Sequence, residues 1–242
     1  MAGRRTRSPV NRYLRGVTSP PRVALGLFRP IAHNYERWAA ILSLGQDGRW
    51  RRALVGGLTV DRGSLILDVA AGTGSITRSL LMRGHHVVAL DQSEAMLSRL
   101  VASEARRLLA AAESLPIRDG AVDALTAGYL LRYVEELPTA MRELSRVVRP
   151  GGTVAMLEFG RPTGVWRPLW WFYTRFALPA IGAVIGSGWS EVGRFLGPSI
   201  DGFWTRYSPE DLARVWAEAG LAQVRWQSMS LGGGFLIWGV KK

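Results

Sequence analysis

Short apolar runs alternate with amphipathic helical patterns along most of the chain. This alternation predicts an α/β fold, in which helices cover both faces of a mostly parallel sheet. Seven strands are predicted, at Leu65–Val69, His85–Leu90, Arg107–Ala111, Val122–Tyr129, Gly152–Phe159, Ala222–Met229 and Gly234–Val240. Helices are predicted at Ser75–Arg83, Ser93–Ala105, Leu137–Val148 and Pro209–Ala219, and helical periodicity also covers Ile31–Leu58. The short turn around Gly232 and Gly233 predicts that the last two strands form an antiparallel hairpin.

The chain divides into a basic leader, residues 1–28, and a single domain, residues 29–242, which is long enough for one substantial core. Seven arginines, four prolines and no acidic residue lie between Met1 and Tyr35. The leader is therefore predicted to be partly disordered and to suit an anionic surface. Lipid headgroups and nucleic acid both fit that charge, and a solvated tail without a partner is the alternative.

An aromatic-rich segment, residues 163–207, separates the fifth strand from the helix at Pro209 and is too long for a plain connection. It is predicted to be a helical insertion that covers the site or a membrane-facing entrance, and a helical pair packed as extra core is the alternative. Its apolar part is interrupted by Arg175, Pro179 and glycines. The uninterrupted run is shorter than the roughly 20 residues of a transmembrane helix, which favours an interfacial or lid helix.

Composition limits the available chemistry. The chain contains no cysteine and three histidines, so disulfides, thiolate nucleophiles and a metal site are not expected. No secretory signal is evident. The net charge of +12 suits anionic partners. We therefore expect a cytoplasmic protein that associates peripherally with the inner face of an anionic membrane.

An acidic residue, Asp68, lies inside the first apolar strand, directly before the glycine-rich turn Gly72-Thr73-Gly74. The glycines allow a tight turn and a close approach of the backbone to a ligand. Asp91, seventeen residues after Gly74, ends the second apolar run. An acid at that strand end can accept both hydroxyl groups of a ribose.

Two classes of ribose-containing ligand compete for this pattern. A dinucleotide site requires a third glycine where this chain has Thr77, and the Asp68 charge would lie near the diphosphate. S-adenosylmethionine has a ribose for Asp91, an α-amino group that Asp68 can bind through water, and no phosphate. Its sulfonium is positive, so a nearby carboxylate is favourable. The pattern therefore favours S-adenosylmethionine.

Further motifs follow the later strands: Ala111-Ala112-Glu113, the loop from Gly128 to Tyr133, and Leu157-Glu158-Phe159. With these, and with Ile31–Tyr35, Ser199-Ile200 and Gly232–Gly234, the chain resembles the class I S-adenosylmethionine methyltransferases. More narrowly, it is similar to the ubiquinone/menaquinone biosynthesis C-methyltransferase family over nearly everything after about residue 27. The resemblance implies a Rossmann-like fold and S-adenosyl-L-methionine as the cofactor.

The predicted cofactor-binding residues combine the motif argument with the resemblance. They are Asp68, Ala70, Gly72, Thr73, Gly74, Asp91, Gln92, Ala111, Ala112, Glu113 and Gly128. The chain departs from the family pattern at three positions. Ala111 replaces an acid or amide, Tyr133 replaces an asparagine after Arg132, and Ala39 replaces an asparagine in the N-terminal helical region.

The resemblance also implies C-methylation of the ring of a demethylmenaquinol or another quinol-type lipid. Arg132 and Tyr133 are the catalytic candidates, with Arg132 stabilising a phenolate. Tyr35, Tyr129 and Glu158 are supporting candidates. The structural alternatives are that Arg132 pairs with one of the nearby acids Glu135 and Glu136 and that Tyr35 belongs to the core.

Other functions compete with this one. A phosphatidylethanolamine N-methyltransferase, or another small-molecule methyltransferase, would share the fold and a basic, aromatic surface. A nucleic-acid methyltransferase is not expected, because the fourth-strand loop lacks an Asn-Pro-Pro-Tyr motif for a flipped base. A non-catalytic cofactor-binding module stays open, because the three departures could mark lost chemistry. The expected partner is thus a lipophilic quinol or lipid, and no oligomeric state is predicted.

Overall fold

A computed structural model describes residues 20–242, and residues 1–19 of the predicted leader lie outside the described residues. The centre of the molecule is a seven-stranded sheet in the order β3-β2-β1-β4-β5-β7-β6. The strands are β1 (Leu65–Val69), β2 (His86–Asp91), β3 (Arg106–Leu109), β4 (Val122–Gly128), β5 (Val148–Phe159), β6 (Leu221–Met229) and β7 (Gly234–Lys241). Strands β1 to β5 pair in parallel, and β7 runs antiparallel between β5 and β6. The predicted mostly parallel sheet with an antiparallel C-terminal hairpin is confirmed.

Ten α-helices are described around the sheet. They are α1 (Pro20–Phe28), α2 (Tyr35–Leu42), α3 (Gln46–Gly56), α4 (Ser75–Leu81), α5 (Glu94–Leu97), α6 (Leu137–Arg146), α7 (Arg167–Phe172), α8 (Leu178–Ile185), α9 (Trp189–Arg206) and α10 (Pro209–Glu218). The start of α10 is as the sequence predicts. Ser208 Oγ accepts from the Asp211 N–H at 3.1 Å, and the Asp211 carboxylate accepts from the Ser208 N–H at 3.0 Å.

Strand residues alternate between two buried faces, and this alternation produces a core on each side of the sheet. Ile66 and Ala124 contribute to the core beneath α3 and α4. Their neighbours Leu67 and Leu125 contribute to the opposite core, with residues of α6, α9 and α10. The strand order reverses between β1 and β4, and ligands of open α/β sheets bind beyond the strand ends at such a point.

Two predicted helices are shorter than their periodicity indicates. The helical pattern over Ile31–Leu58 forms two helices, α2 and α3, because Leu44 and Gly45 have positive φ angles of 52° and 73° and reverse the chain. The helix expected over Ser93–Ala105 covers only Glu94–Leu97. Beyond α5, the Val101 N–H donates to the Thr73 carbonyl at 3.2 Å, so a tertiary hydrogen bond replaces the next helical turn.

The segment predicted as an insertion is helical over most of residues 164–206. It comprises a 3₁₀ turn (Gly164–Trp166), α7, one π-helical stretch (Tyr173–Ala177), α8 and α9. None of the helices described between residues 20 and 242 combines the length and the hydropathy that a membrane crossing requires.

Candidate functional site

The loop after β1 turns sharply enough to form a ligand-binding cradle. Ala70, Gly72 and Gly74 all have positive φ angles, of 53°, 59° and 92°. A Cβ on Gly74 would lie 2.9 Å from Leu100, so glycine is required there both by conformation and by space. The loop leads directly into α4, whose N-terminus faces the carboxyl ends of the central strands.

Asp91 is held rigidly at the end of β2. Its carboxylate accepts the N–H groups of Gly72 and Ser93, both at 2.8 Å, and its residue surface is 8% exposed. Burial raises the pKa of Asp91, and the backbone N–H donors oppose that rise. The carboxylate is thus oriented by the glycine loop itself and lies on the wall of a cavity, where the sequence places the ribose.

Asp68 is positioned differently from the prediction. Thr77 Oγ1 donates to one of its carboxylate oxygens at 2.6 Å, and Thr126 Oγ1 donates to the other at 2.9 Å. The residue is fully buried, and burial raises its pKa from 3.8 to about 6 despite these hydroxyl groups. It lies behind the glycine loop and not on the cavity wall. That Asp68 binds the α-amino group of S-adenosylmethionine through water stays a prediction.

A cavity at the carboxyl ends of β1, β2 and β4, the cofactor cavity, brings together most of the predicted cofactor-binding residues. Eight of the eleven line it: Ala70, Gly72, Thr73, Asp91, Gln92, Ala112, Glu113 and Gly128. Asp68, Gly74 and Ala111 do not. Three residues of α1, Ala24, Leu25 and Phe28, form part of its wall. Helix α1, which the sequence assigned to the leader, therefore contributes to the site.

One buried acceptor in the cofactor cavity has no donor. Glu113 Oε1 is buried and has no hydrogen-bond partner among the described residues. A buried polar atom of this kind is destabilising unless a ligand satisfies it. The exocyclic amino group of adenine provides such a donor, and the neighbouring Ala112 leaves space for a ring.

A second, larger cavity, the apolar cavity, has a volume of about 410 Å³. Aromatic and aliphatic side chains dominate its lining, including Trp50, Phe159, Trp166, Leu169, Trp170, Trp189 and Phe195. Asp47 and Arg132 are the two charged residues among the described residues that line it. Phe28, Tyr35, Tyr129 and Tyr133 line both cavities, so the two meet at this group of rings.

The predicted catalytic residues Arg132 and Tyr133 both reach the apolar cavity. Arg132 Nε donates to Glu158 at 2.9 Å, and its Nη1 donates to Ser199 at 3.1 Å. Burial lowers the pKa of Arg132, but the interactions with Tyr133 and Glu158 outweigh burial, so the pKa is raised and the guanidinium stays charged. The ring of Tyr133 lies 5.0 Å from the guanidinium carbon. Arg132 is therefore paired with Glu158, 26 positions away along the chain, and not with Glu135 or Glu136, the nearby acids that the sequence offered.

A polar network lies where the two cavities meet. Asp47 accepts from Tyr129 Oη at 2.6 Å and from Arg51 Nε at 2.7 Å. Burial raises the pKa of Tyr35 to about 12 and that of Tyr129 well above its usual value, so both phenols are neutral. The sequence analysis missed Asp47 and Arg51, because an acid and a base four residues apart are typical of a solvated helix surface.

Glu36 of α2 is a second residue that the sequence analysis missed. Its carboxylate accepts from Thr73 at 3.1 Å, from Ser75 at 3.0 Å and from Arg78 at 3.2 Å. It therefore ties the N-terminal helices to the glycine loop and to the start of α4. No pattern around residue 36 indicates a partner that follows about 40 residues later.

Comparisons with known proteins find related sequences over most of the chain. The sequence pattern of the ubiE/COQ5 methyltransferase family matches residues 19–241. Demethylmenaquinone methyltransferase of Mycobacterium tuberculosis strain H37Rv is 35% identical over 215 residues, which covers 88% of this chain and 89% of that protein. The protein of the same name from Mycolicibacterium gilvum is 34% identical and covers 88% and 92%.

Solved structures agree on the fold. A methyltransferase from Thermotoga maritima, described as a possible histamine N-methyltransferase, superposes with a TM-score of 0.64 at 18% identity and covers 90% of this chain and 99% of that one. Phosphoethanolamine N-methyltransferase 2 of Haemonchus contortus, solved with S-adenosyl-L-methionine, has a TM-score of 0.58 at 11% identity. It covers 80% of this chain and 52% of that one.

Proposed function

Because the chain belongs to the ubiE/COQ5 methyltransferase family, we propose that it transfers a methyl group from S-adenosylmethionine to a ring carbon of demethylmenaquinol. The observation that carries the proposal is that the cofactor cavity and a large apolar cavity lie side by side and share lining residues. Four aromatic residues, Phe28, Tyr35, Tyr129 and Tyr133, line both. A methyl donor and a lipophilic ring can therefore meet in a site that excludes water.

The residues of the cofactor cavity fit S-adenosylmethionine. Asp91 provides a fixed carboxylate for the ribose hydroxyl groups, and the unsatisfied Glu113 Oε1 provides an acceptor for the adenine amino group. The glycine loop provides a close backbone approach for the amino-acid part. Asp68 places a carboxylate behind that loop, which favours a positively charged ligand in front of it.

The apolar cavity suits a neutral quinol better than a phospholipid headgroup. A phosphate group requires a cation that is available to it. Arg132, the single cation among the described lining residues, is paired with Glu158 and also hydrogen-bonds Ser199. A naphthoquinol ring presents hydroxyl groups and flat apolar faces, which match Tyr, Trp and Phe side chains. These features favour C-methylation over N-methylation of phosphatidylethanolamine.

S-adenosylmethionine supplies an electrophilic methyl group when bound. The acceptor ring carbon becomes nucleophilic when the adjacent hydroxyl group gives up its proton, and overall one ring C–H becomes C–CH₃ with release of one proton. Asp47 is the one carboxylate among the described residues lining the apolar cavity, which makes it the candidate proton acceptor. Arg132 lines the same cavity with its Nε and Nη1 engaged by Glu158 and Ser199, so it would act on a developing phenolate through its positive charge. The partial, transient charge of a phenolate demands less of this ion pair than the full, permanent charge of a phosphate.

The activity test uses the full chain, S-adenosylmethionine with a labelled methyl group, and detergent-dispersed demethylmenaquinone. The quinone is supplied either oxidised or chemically reduced, and phosphatidylethanolamine is offered separately. We expect ring methylation, measured by mass spectrometry, with the reduced quinol alone, because an oxidised quinone ring is electron-poor. Methyl transfer to phosphatidylethanolamine, or none to the quinol by a preparation that binds S-adenosylhomocysteine, would overturn the proposal.

Asp47→Asn tests the proposed proton acceptor. The amide keeps the size of the side chain but removes its charge and with it the ion pair to Arg51, so stability is measured alongside activity. At a temperature where the variant is folded, kcat should fall while the affinity for S-adenosylhomocysteine is retained. Asp61→Asn, at an exposed loop position, is the matched control and should keep full activity. An Asp47→Asn enzyme with the kcat of the wild type would exclude proton transfer to Asp47.

A further inference from the structure

The insertion has an apolar face that nothing in the described structure covers. Val165, Leu169, Phe172 and Phe176 recur at intervals of three and four residues, and they are 84%, 61%, 56% and 53% exposed. The other side of this stretch faces the protein: Trp170 and Tyr173 line the apolar cavity, and Thr174 is buried. Helices of soluble domains ordinarily bury their apolar face, so this exposed face (residues Val165, Leu169, Phe172 and Phe176, the docking face) indicates a contact with an apolar phase.

The docking face is continuous with the mouth of the apolar cavity. Leu169 belongs to both, and its neighbour Trp166 is 45% exposed and also lines the cavity. Two loop leucines, Leu44 and Leu231, line the cavity as well, although they are 80% and 63% exposed. A lipid that leaves an apolar phase at the docking face can therefore enter the cavity without crossing water.

The two loop leucines carry a second, independent signal. Leu44 and Leu231 have positive φ angles of 52° and 59°, a conformation that non-glycine residues adopt rarely. Backbone strain of this kind is concentrated at functional positions, where surrounding structure maintains it. Here it projects two large apolar side chains outward at the cavity mouth, which a purely aqueous surface would not favour.

The charge of the insertion identifies the apolar phase. Between Phe159 and Glu191 the chain contains three arginines and no acidic residue. Arg167 and Arg175 are exposed among the aromatic residues of the docking face. Basic side chains next to exposed Trp and Phe are typical of proteins that lie in the interface of an anionic bilayer.

We propose that the docking face inserts into the surface of a bilayer containing anionic phospholipid and delivers a lipid-dissolved substrate to the apolar cavity. The membrane contact itself does not depend on the proposed function, and only the identity of the delivered quinol rests on it. The proposed attachment is peripheral, with the side chains of the docking face entering the bilayer surface. The insertion, and not the leader alone, then determines how the enzyme is oriented on the membrane.

Vesicle flotation with the full chain tests this proposal. Vesicles of phosphatidylcholine alone are compared with vesicles of equal parts phosphatidylcholine and phosphatidylglycerol. The double variant Phe172→Ser/Phe176→Ser should lower the affinity for the anionic vesicles by about tenfold or more. Met82→Ser is the matched control, because Met82 is 74% exposed and lies after α4, near the start of β2 and away from the carboxyl ends of the strands, where the cavities lie.

The charge component and the leader are tested separately. Arg167→Gln/Arg175→Gln should weaken binding to the anionic vesicles and leave binding to phosphatidylcholine unchanged. Deletion of residues 1–19 measures any contribution of the leader and leaves α1 in the wall of the cofactor cavity. If that deletion abolishes vesicle binding while Phe172→Ser/Phe176→Ser binds like the wild type, the docking face is not the membrane contact.

Activity assays distinguish this proposal from the proposed function. Phe172 and Phe176 do not line the apolar cavity. Their double variant should therefore keep the wild-type rate with detergent-dispersed quinol and show a raised apparent KM with vesicle-embedded quinol. An unchanged KM in vesicles would overturn the proposal. So would a wild-type dimer in analytical ultracentrifugation that the double variant dissociates, because a second copy would then cover the face.

Discussion

Thr126→Val offers a sharp test of the buried carboxylate behind the glycine loop. Valine has nearly the shape of threonine, so the substitution removes the Thr126 Oγ1 donor, 2.9 Å from Asp68, and leaves the packing of β4 in place. A hydrogen bond to an ionised carboxylate contributes about 2 kcal/mol, and one to a neutral carboxyl group contributes about 1 kcal/mol. The loss of stability should therefore depend on the protonation state of Asp68.

The sign of the pH dependence follows from the raised pKa of Asp68. Between its usual value of 3.8 and about 6, the folded protein binds a proton that the unfolded chain does not bind. The contribution of Asp68 to stability therefore declines as the pH rises through this window. Removing a donor from the ionised form raises the folded pKa further, so Thr126→Val should extend the decline in stability to higher pH.

The assay is urea unfolding of wild type and variant, followed by tryptophan fluorescence, at pH about 5 and about 7.5, where Asp68 is mostly protonated and ionised. Thr126→Val should reduce the free energy of unfolding by about 2 kcal/mol at the higher pH and about 1 kcal/mol at the lower. Thr153→Val is the matched control on β5. Its hydroxyl pairs with Thr59 at 2.8 Å and meets no carboxylate, so its loss should not vary with pH.

An equal loss at both pH values for Thr126→Val would refute the reasoning. It would mean that Asp68 keeps one protonation state across the range, or that its carboxylate finds another donor when Thr126 is replaced. A pH-dependent loss in Thr153→Val would show that the dependence arises elsewhere in the sheet.

Three further outcomes are expected. Asp91→Ala should weaken S-adenosylhomocysteine binding about 100-fold by calorimetry, because it removes a charged acceptor at the cavity wall, and a change under threefold would contradict its role. Glu158→Gln should lower the free energy of unfolding by about 3–5 kcal/mol, because it leaves the Arg132 charge buried without its partner. Gly152→Ala should lower the free energy of unfolding by about 1–3 kcal/mol, because the added Cβ would lie 2.5 Å from the Asp123 carbonyl oxygen. Gly202→Ala is the control, because a Cβ there has no heavy atom within 4 Å and should not lower the stability.

The sheet and the cofactor residues were predictable from the sequence because both depend on local patterns. Apolar runs mark the strands, and parallel strands bring their carboxyl ends to one edge of the sheet. Asp91 and the glycine loop follow two such strands, so their proximity in the structure required no knowledge of long-range packing. The same argument placed Ala112 and Glu113 at the cavity.

The polar residues contributed by α2 and α3 could not be predicted from the sequence, because their contacts join distant parts of the chain. Glu36 reaches the glycine loop, and Asp47 reaches the Tyr129 hydroxyl across 82 positions. Periodicity could assign both acids only to a helix surface. Likewise, helical periodicity predicted a long helix after Ser93, but a hydrogen bond from Val101 to the glycine loop ended it early.

The sequence by itself therefore determined where the strands of the sheet lie along the chain, the glycine turn after β1 and the acid that ends β2. Tertiary structure alone decided that Arg132 pairs with Glu158 and not with an adjacent glutamate, that α1 forms part of the cofactor cavity, and that the aromatic insertion turns an apolar face outward. The physical reason is that periodicity specifies which side chains are apolar, whereas burial and pairing depend on which distant segment packs against them.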